Sequence, residues 1–373
     1  MKRHRLKCSL LAVASAVALG ASARPAAAFE LKPSARLHLD YGHNSPDVKA
    51  LDDGLYVRRS VLGLEGTFAS NWAFEIGYNL ASKGELKPAD GGFRDLTVSY
   101  DGWQGGELTL GQFKLPFGLD ELTSSNNIAF IERSMATDAF APSRRMGVGF
   151  KRHGAGYTIG AMLFGSSIDG DDRGRGVAAR FTAAPIQNEQ TVLHFGLAAV
   201  LEKPRGKVDF DTAPESRVVD ADLVNTGRID GVERTRRTGL ETAWQHGPVT
   251  LQGEWMDTTL QRDAGRPNAR LDGWHVGASW LLTGETRRYK NGEFKALRPQ
   301  AASGAWELVA RWSQLDLDHG DILGGREKNL TLGLNYYRNS HLRIMLNHIR
   351  VHSERRGQSD NPDILLLRLQ LVY

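Results

Sequence analysis

Cysteine is almost absent from this chain: of 373 residues only Cys8 is one. No apolar run reaches the roughly 18 uninterrupted residues of a membrane-spanning helix. The one clear run, Leu10 to Leu19, is short, follows Lys2, Arg3, Arg5 and Lys7, and leads through small residues to Ala26-Ala27-Ala28. That layout marks residues 1–28 as a secretory signal peptide, with the mature chain starting at Phe29. Cys8 precedes the apolar run, so it is no lipoprotein cysteine, and it leaves with the signal. Disulfides and thiol chemistry are thereby excluded from the mature chain.

Other signatures are missing too. The histidines show neither HExxH nor a clustered metal spacing, so no metal or cofactor is expected. Asp169-Gly170-Asp171-Asp172-Arg173-Gly174 begins like a calcium loop, but Arg173 takes a ligand position and no closing Glu follows. It reads as a solvated acidic loop. Ser124, Ser125 and Ser134 have no histidine placed beside them by the sequence, so an enzyme is not expected. No basic patch is interleaved with aromatics, which argues against nucleic acid. The formal net charge of +4 is mostly the signal: five of the 47 Lys+Arg lie there, leaving 42 against 43 Asp+Glu. Any preference for anions must come from where charges sit.

What the chain does have is alternation. In Ala35–Tyr41, Leu37, Leu39 and Tyr41 share one face and Arg36, His38 and Asp40 the other, as successive side chains in a strand do. Trp72–Asn79, Arg94–Asp101, Thr191–Leu201 and Asp363–Tyr373 repeat the pattern, and about sixteen such segments are present, each near the length a tilted membrane strand needs. Tight connections such as Ser70-Asn71 and Gly247-Pro248 alternate with long polar ones such as Gly42–Gly54, Glu202–Arg236 and Asp316–Lys328. Thr283–Gly304 breaks this rule: either one short-side turn is long, or the strand count is off by a pair. A soluble sandwich or propeller also alternates, but aromatics recur near strand ends and continuous doubly buried runs are lacking. The expected fold is all-β, a transmembrane antiparallel β-barrel over residues 29–373. The last strand finishes on Tyr373 and resembles the assembly signal of bacterial outer-membrane barrels.

The longest departure from alternation is Gly111–Gly147, where Lys114, Arg133, Arg144 and Arg145 stand beside Asp120, Glu121, Glu132 and Asp138. Loops this long inside compact proteins are usually functional. It is expected to fold into the lumen as a constriction loop spanning residues 114–145. Its GQFKLPFG, TSSN and IERS, together with VRRSVLGLEG at Val57–Gly66, LTGETRRY at Leu282–Tyr289, AWELVARWS at Ala305–Ser313 and LGLNYY at Leu332–Tyr337, resemble the phosphate-selective porins of Gram-negative outer membranes. The resemblance spans the mature chain. It implies a sixteen-stranded homotrimer among outer-membrane lipid and lipopolysaccharide, in which an inward loop and lumenal arginines pass inorganic phosphate or related anions.

Arginine suits such a path, because its planar guanidinium stays charged and donates two parallel hydrogen bonds to an oxyanion, and rings of Arg or Lys are the usual anion filter. Alternation places Arg36, Arg59, Lys151, Arg180, Arg311, Arg343 and Arg368 inside, and Lys114 opens the loop. The resemblance adds Arg58 and Arg59, Arg133, and Asp95 as a partner holding an arginine in place. Strict alternation cannot turn both Arg58 and Arg59 inward, and Arg59 is favoured. The alternative for any single arginine is a salt bridge to a facing carboxylate such as Glu65, Glu75 or Glu307. Lysines are few outside the signal, which leaves room for polyphosphate, organic phosphates or a general anion preference. Competing expectations are a general-diffusion or saccharide channel without an anion site, and a plugged, non-transporting adhesin or anchor.

Overall fold

The computed structural model describes residues 29–170, 173–218 and 222–373. Residues 1–28, expected as a signal peptide, and Asp171 and Asp172 of the calcium-like loop lie outside the described residues. Sixteen long strands follow one another: β1 (Glu30–Ser45), β2 (Gly54–Phe68), β3 (Trp72–Asn79), β4 (Gly92–Trp103), β5 (Gly106–Lys114), β6 (Arg144–Gly154), β7 (Tyr157–Phe164) and β8 (Gly174–Gln187). The second half comprises β9 (Thr191–Pro204), β10 (Val232–His246), β11 (Val249–Arg262), β12 (Ala269–Leu281), β13 (Ala305–His319), β14 (Ile322–Tyr337), β15 (Leu342–Arg355) and β16 (Asp363–Val372). Each pairs antiparallel with its sequence neighbours, and β1 pairs with β16 from Arg36↔Val372 to Ser45↔Asp363. The sheet is a closed barrel, which leaves no strand edge unpaired in the bilayer.

The barrel is inside out relative to a soluble protein. In β16, Leu365, Leu367, Leu369 and Leu371 are the exposed face, with Leu367 at 44%, whereas Arg368 is 0% exposed. Such a surface is stable only against lipid. The strands overrun their expected limits at the long-loop end. Asp316–Lys328, expected as a loop, is a hairpin in which β13 runs to His319 and β14 starts at Ile322. Beyond the bilayer both faces are wet, so alternation fades while pairing continues. Thr283–Gly304 is a long short-side turn, not a counting error. It carries a small hairpin, Tyr289–Lys290 against Glu293–Phe294, turned by Asn291 (φ 55°) and Gly292 (φ 79°). Two successive positive φ angles are what a type I′ turn needs.

Two segments fill much of the lumen. The constriction loop leaves β5 at Lys114, bends at Gly118 (φ 73°), and carries short helices α1 (Leu119–Leu122) and α2 (Met135–Phe140). Its Leu115, Phe117, Met135 and Phe140 pack on inward Met256, Leu260, Leu271 and Leu315. Room for it is left by missing side chains: a Cβ at Gly239 would stand 3.1 Å from the Phe117 ring. The turn hairpin enters from the opposite end, and its Phe294 packs on Leu119 of the loop.

The seam is an ion pair. Arg368 on β16 lies directly opposite Asp40 on β1 and donates two hydrogen bonds to its carboxylate, both at 2.6 Å. Arg368→Ala leaves a buried carboxylate unpaired, a loss of about 3–5 kcal/mol. The expected outcome is a lowered midpoint of heat-induced mobility shift in detergent gels, partly restored by adding Asp40→Asn. An unchanged midpoint would show that closure does not depend on this pair.

Candidate functional site

Loop residues 127–132 run along the wall with their carbonyls facing it, and four wall-side arginines reach them. Arg287 of the long turn donates to Asn127 O (3.2 Å), Arg343 to Ile128 O and Ala129 O (2.8 and 3.2 Å), Arg311 to Glu132 O (3.0 Å), and Arg368 to Ile131 O. Each arginine is also held by a carboxylate: Arg287 by Glu307 (2.6 Å), Arg311 by Glu215 (2.6 Å), Arg343 by Glu307 (3.8 Å), Arg368 by Asp40. Arg180 is likewise paired with Glu241, at 2.9 Å from Nε. Arg180, Arg311, Arg343 and Arg368 are therefore lumen-facing, as alternation places them, but they are bound into the wall and loop. The facing-carboxylate alternative describes them.

Glu132 is the hub of the loop. It accepts from Arg58 (2.7 and 2.9 Å) and Arg368 (2.6 Å), with Arg59 at 3.9 Å. Both arginines of the VRRS stretch turn inward because the register slips there: His38 faces Arg59, but Leu39 faces Val57, so Arg58 is an extra residue. A β-bulge of this kind puts two residues against one and re-aims a side chain. Arg58 borders open lumen; Arg59, 4% exposed, sits behind it. Arg133 is half-buried and folds back on its own loop: Nε donates to the Asp120 carbonyl (2.9 Å) and one terminal nitrogen to those of Glu121 (3.0 Å) and Thr123 (2.9 Å), with Glu121 paired at 3.0 Å. These bonds hold the loop in shape.

Open space lies on the other side of the barrel, against β1–β8. An outer cavity of about 380 Å³ is lined by Arg58, Glu121, Arg133, Asp138 and Asp169. An inner cavity of about 550 Å³ is lined by Arg36, Glu65, Glu75, Asp95, Lys114 and Lys151. Arg94 and Arg144 border both. Arg144 is fixed by a forked pair of bonds to Asp95 (3.1 and 2.8 Å). Lys114 pairs with Glu121 at 3.2 Å. Among the described residues, Arg36 and Arg94 have no carboxylate within ion-pair distance, and the buried Nε of Arg94 has no hydrogen-bond partner.

The sequence reading named Arg144 only within the loop and missed Arg94 altogether. Leu96, Val98 and Tyr100 face outward, so strict alternation sends Arg94 with them. A second bulge intervenes: Ile76 faces Leu96 while Tyr78 faces Phe93, and both Arg94 and Asp95 turn to the lumen. The available signal was two adjacent charged residues inside a strand, the same signal as Arg58-Arg59. His38 is a buried wall residue bonded to Asn126 (3.1 Å).

A closed barrel with an inward loop and a charged waist is porin architecture, and the comparisons agree. The family model described as phosphate-selective porin O and P matches residues 31–373. The chain belongs to this family. Porin O of Pseudomonas aeruginosa is 24% identical over 391 aligned positions, covering 92% of this chain and 89% of that protein. An uncharacterized protein of Caulobacter vibrioides is 29% identical over 348 positions, covering 85% and 67%. Among solved structures, an anion-selective porin from Comamonas acidovorans superimposes with TM-score 0.61 at 15% identity, covering 93% of this chain and all of that one. A loop-deleted OmpT of Vibrio cholerae gives 0.63 at 10% identity, covering 93% and 100%. The porin family and the barrel together put the protein in a Gram-negative outer membrane, as a channel.

Loop docking in this porin carries a pH signature. Burial works against a charged Glu121, yet Arg133, Lys114 and Arg144 outweigh it and hold the carboxyl down to about 2. At Glu132 burial is likewise outweighed, by Arg58, Arg368 and Arg59, and the carboxyl stays well below its usual range. Groups more acidic docked than free stabilise docking fully above their free value of 4.5 and lose that contribution as pH falls toward about 2. Protease accessibility of the loop is expected to stay constant from neutrality to about 4.5 and to rise below as the loop loosens. A rise already near neutrality would show that these carboxylates do not hold the loop.

Proposed function

We propose that this porin passes oxyanions passively, phosphate or polyphosphate-type species among them, through the waist between its two cavities. The observation carrying this reading is that Arg94 and Arg144 border both cavities while Arg94 and Arg36 lack a carboxylate partner among the described residues. Support also comes from the family's description as phosphate-selective and from the anion-selective Comamonas structure. In this reading Arg36, Arg94 and Lys114 face the ion, Asp95 holds Arg144 in place, and Arg58 lines the approach. Of the other two arginines expected as contacts, Arg133 bonds within the loop and Arg59 lies behind Arg58 at 3.9 Å from Glu132, so in this reading neither is a first contact for the ion.

Magnitudes favour a shallow site. One unit charge at 4 Å gains about 4 kcal/mol at an effective dielectric near 20, so several unpaired guanidinium groups in one shell would trap the ion. Pairing Arg144 to Asp95 weakens its pull. Below Arg36 the ion meets Glu65 and Glu75, which lie directly opposite each other on β2 and β3. Their repulsion shortens its stay, and a conducting site must release as well as bind. A trimer fits this reading, since the Vibrio OmpT is also known in a trimer form.

Those inner carboxylates favour a second reading, a general-diffusion channel without an anion site. Planar-bilayer reversal potentials decide. Under a chloride gradient the wild type is expected to favour anions and to show saturable block by phosphate or pyrophosphate. The double variant Arg36→Ala/Arg94→Ala is expected to lose anion preference by about tenfold, equal to about 1.4 kcal/mol, and to lose the block. A wild-type conductance indifferent to phosphate, or a variant as selective as wild type, would leave general diffusion.

A further inference from the structure

The outward face of β8–β10 concentrates unpaired cations at the long-loop rim. Elsewhere on that rim, three outward arginines have carboxylates beside them: Arg270 with Asp257 (3.1 Å), Arg326 with Asp316 (2.8 Å), Arg350 with Asp363 (3.7 Å). On β8 and β9, Arg175 lies directly opposite Lys203. Arg234 stands one residue beyond the Glu202↔Thr235 pair of β9 and β10, on the far side of Lys203. Three exposed cations thus form one row across three strands, with neighbouring strands about 4.8 Å apart. No carboxylate lies within ion-pair distance of any of them among the described residues. Like charges directly opposed destabilise a sheet, so the row carries a cost that no carboxylate among the described residues offsets.

The rows beneath are apolar. Leu163, Val177 and Leu201 are aligned across β7–β9, with Leu163 63% and Leu201 53% exposed, and Arg236 ends that row on β10. Together these residues border a groove of about 730 Å³ on the outside of the barrel. Its basic edge sits at the long-loop end, where the strands leave the outer leaflet, and its apolar floor faces the acyl region.

We propose that this groove binds one phosphorylated glycolipid of the outer leaflet, with phosphates on Arg175, Lys203 and Arg234 and an acyl chain over Leu163, Val177 and Leu201. Charge complementarity selects the occupant. The row needs a multiply charged anion at the membrane surface, and the floor needs hydrocarbon directly beneath it. A free phosphate would satisfy only the row. The site is separate from the lumen and does not depend on what the pore conducts.

Native mass spectrometry of the refolded barrel in detergent tests this with three probes: bis-phosphorylated lipid A, the same lipid stripped of both phosphates, and inorganic phosphate. One bis-phosphorylated lipid per protomer is expected, unaffected by the stripped lipid or by inorganic phosphate. Arg175→Gln/Lys203→Gln/Arg234→Gln is expected to weaken binding about a hundredfold, each charge contributing about a factor of five. Arg175→Lys/Arg234→Lys, which keeps the charge, should retain it, and the heat-induced mobility shift checks that both variants fold. Equal binding of the stripped lipid, displacement by inorganic phosphate, or undiminished binding by the Gln variant would overturn the proposal. So would conversion of an oligomer to monomers by that variant without change in bound lipid, since the face would then join copies of this chain.

Discussion

The structure depends on arginines that each satisfy two acceptors at once, a carboxylate and a carbonyl of the inward loop. A buried guanidinium is costly unless every face of it is bonded, and a stretch of loop backbone in a barrel needs donors it cannot find in itself. Arg287 and Arg368 meet both needs together, and Arg311 and Arg343 bridge wall and loop through their terminal nitrogens while the buried Nε of each stays unpartnered. Glu132 answers from the loop side, gathering Arg58 and Arg368 around one carboxylate. The loop is thereby pinned to one half of the lumen, and the open path is displaced to the other.

Cations in a lumen consequently divide into two kinds that composition cannot separate. Those on the loop-bearing side are neutralised and hold shape. Arg36 and Arg94 on the open side keep their charge available to whatever passes. Arg133 and Arg94 illustrate the division: Arg133 is spent on three carbonyls, while Arg94, outside the loop, borders both cavities.

Barrel, strand order and inward loop were legible because they follow from a period of two and from one long aperiodic stretch. The lumen was only partly legible, because the same period fails at its functional points. At Arg58-Arg59 and Arg94-Asp95 a bulge turns two consecutive residues to one face, and a strictly alternating reading must discard one of each pair. The role of Arg133 was hidden for another reason: its partners are backbone carbonyls of its own loop, which leave no trace in side-chain patterning. The long turn at Thr283–Gly304 was visible as an anomaly, but its inward path depends on Phe294 meeting Leu119, a contact between segments more than 170 residues apart.

The position of Arg368 ties two processes that could have been separate. It sits on the last strand, pairs with the first at Asp40, and also grips the loop at Ile131 and Glu132. A barrel still open at that seam can offer the loop only part of its donors, and a barrel with the loop displaced leaves the seam arginine under-bonded. Sealing the cylinder and narrowing it are thereby coupled through one side chain. A wide-open, fully closed barrel is therefore a poorly populated state of this chain, and the outer membrane is spared an unguarded hole during assembly.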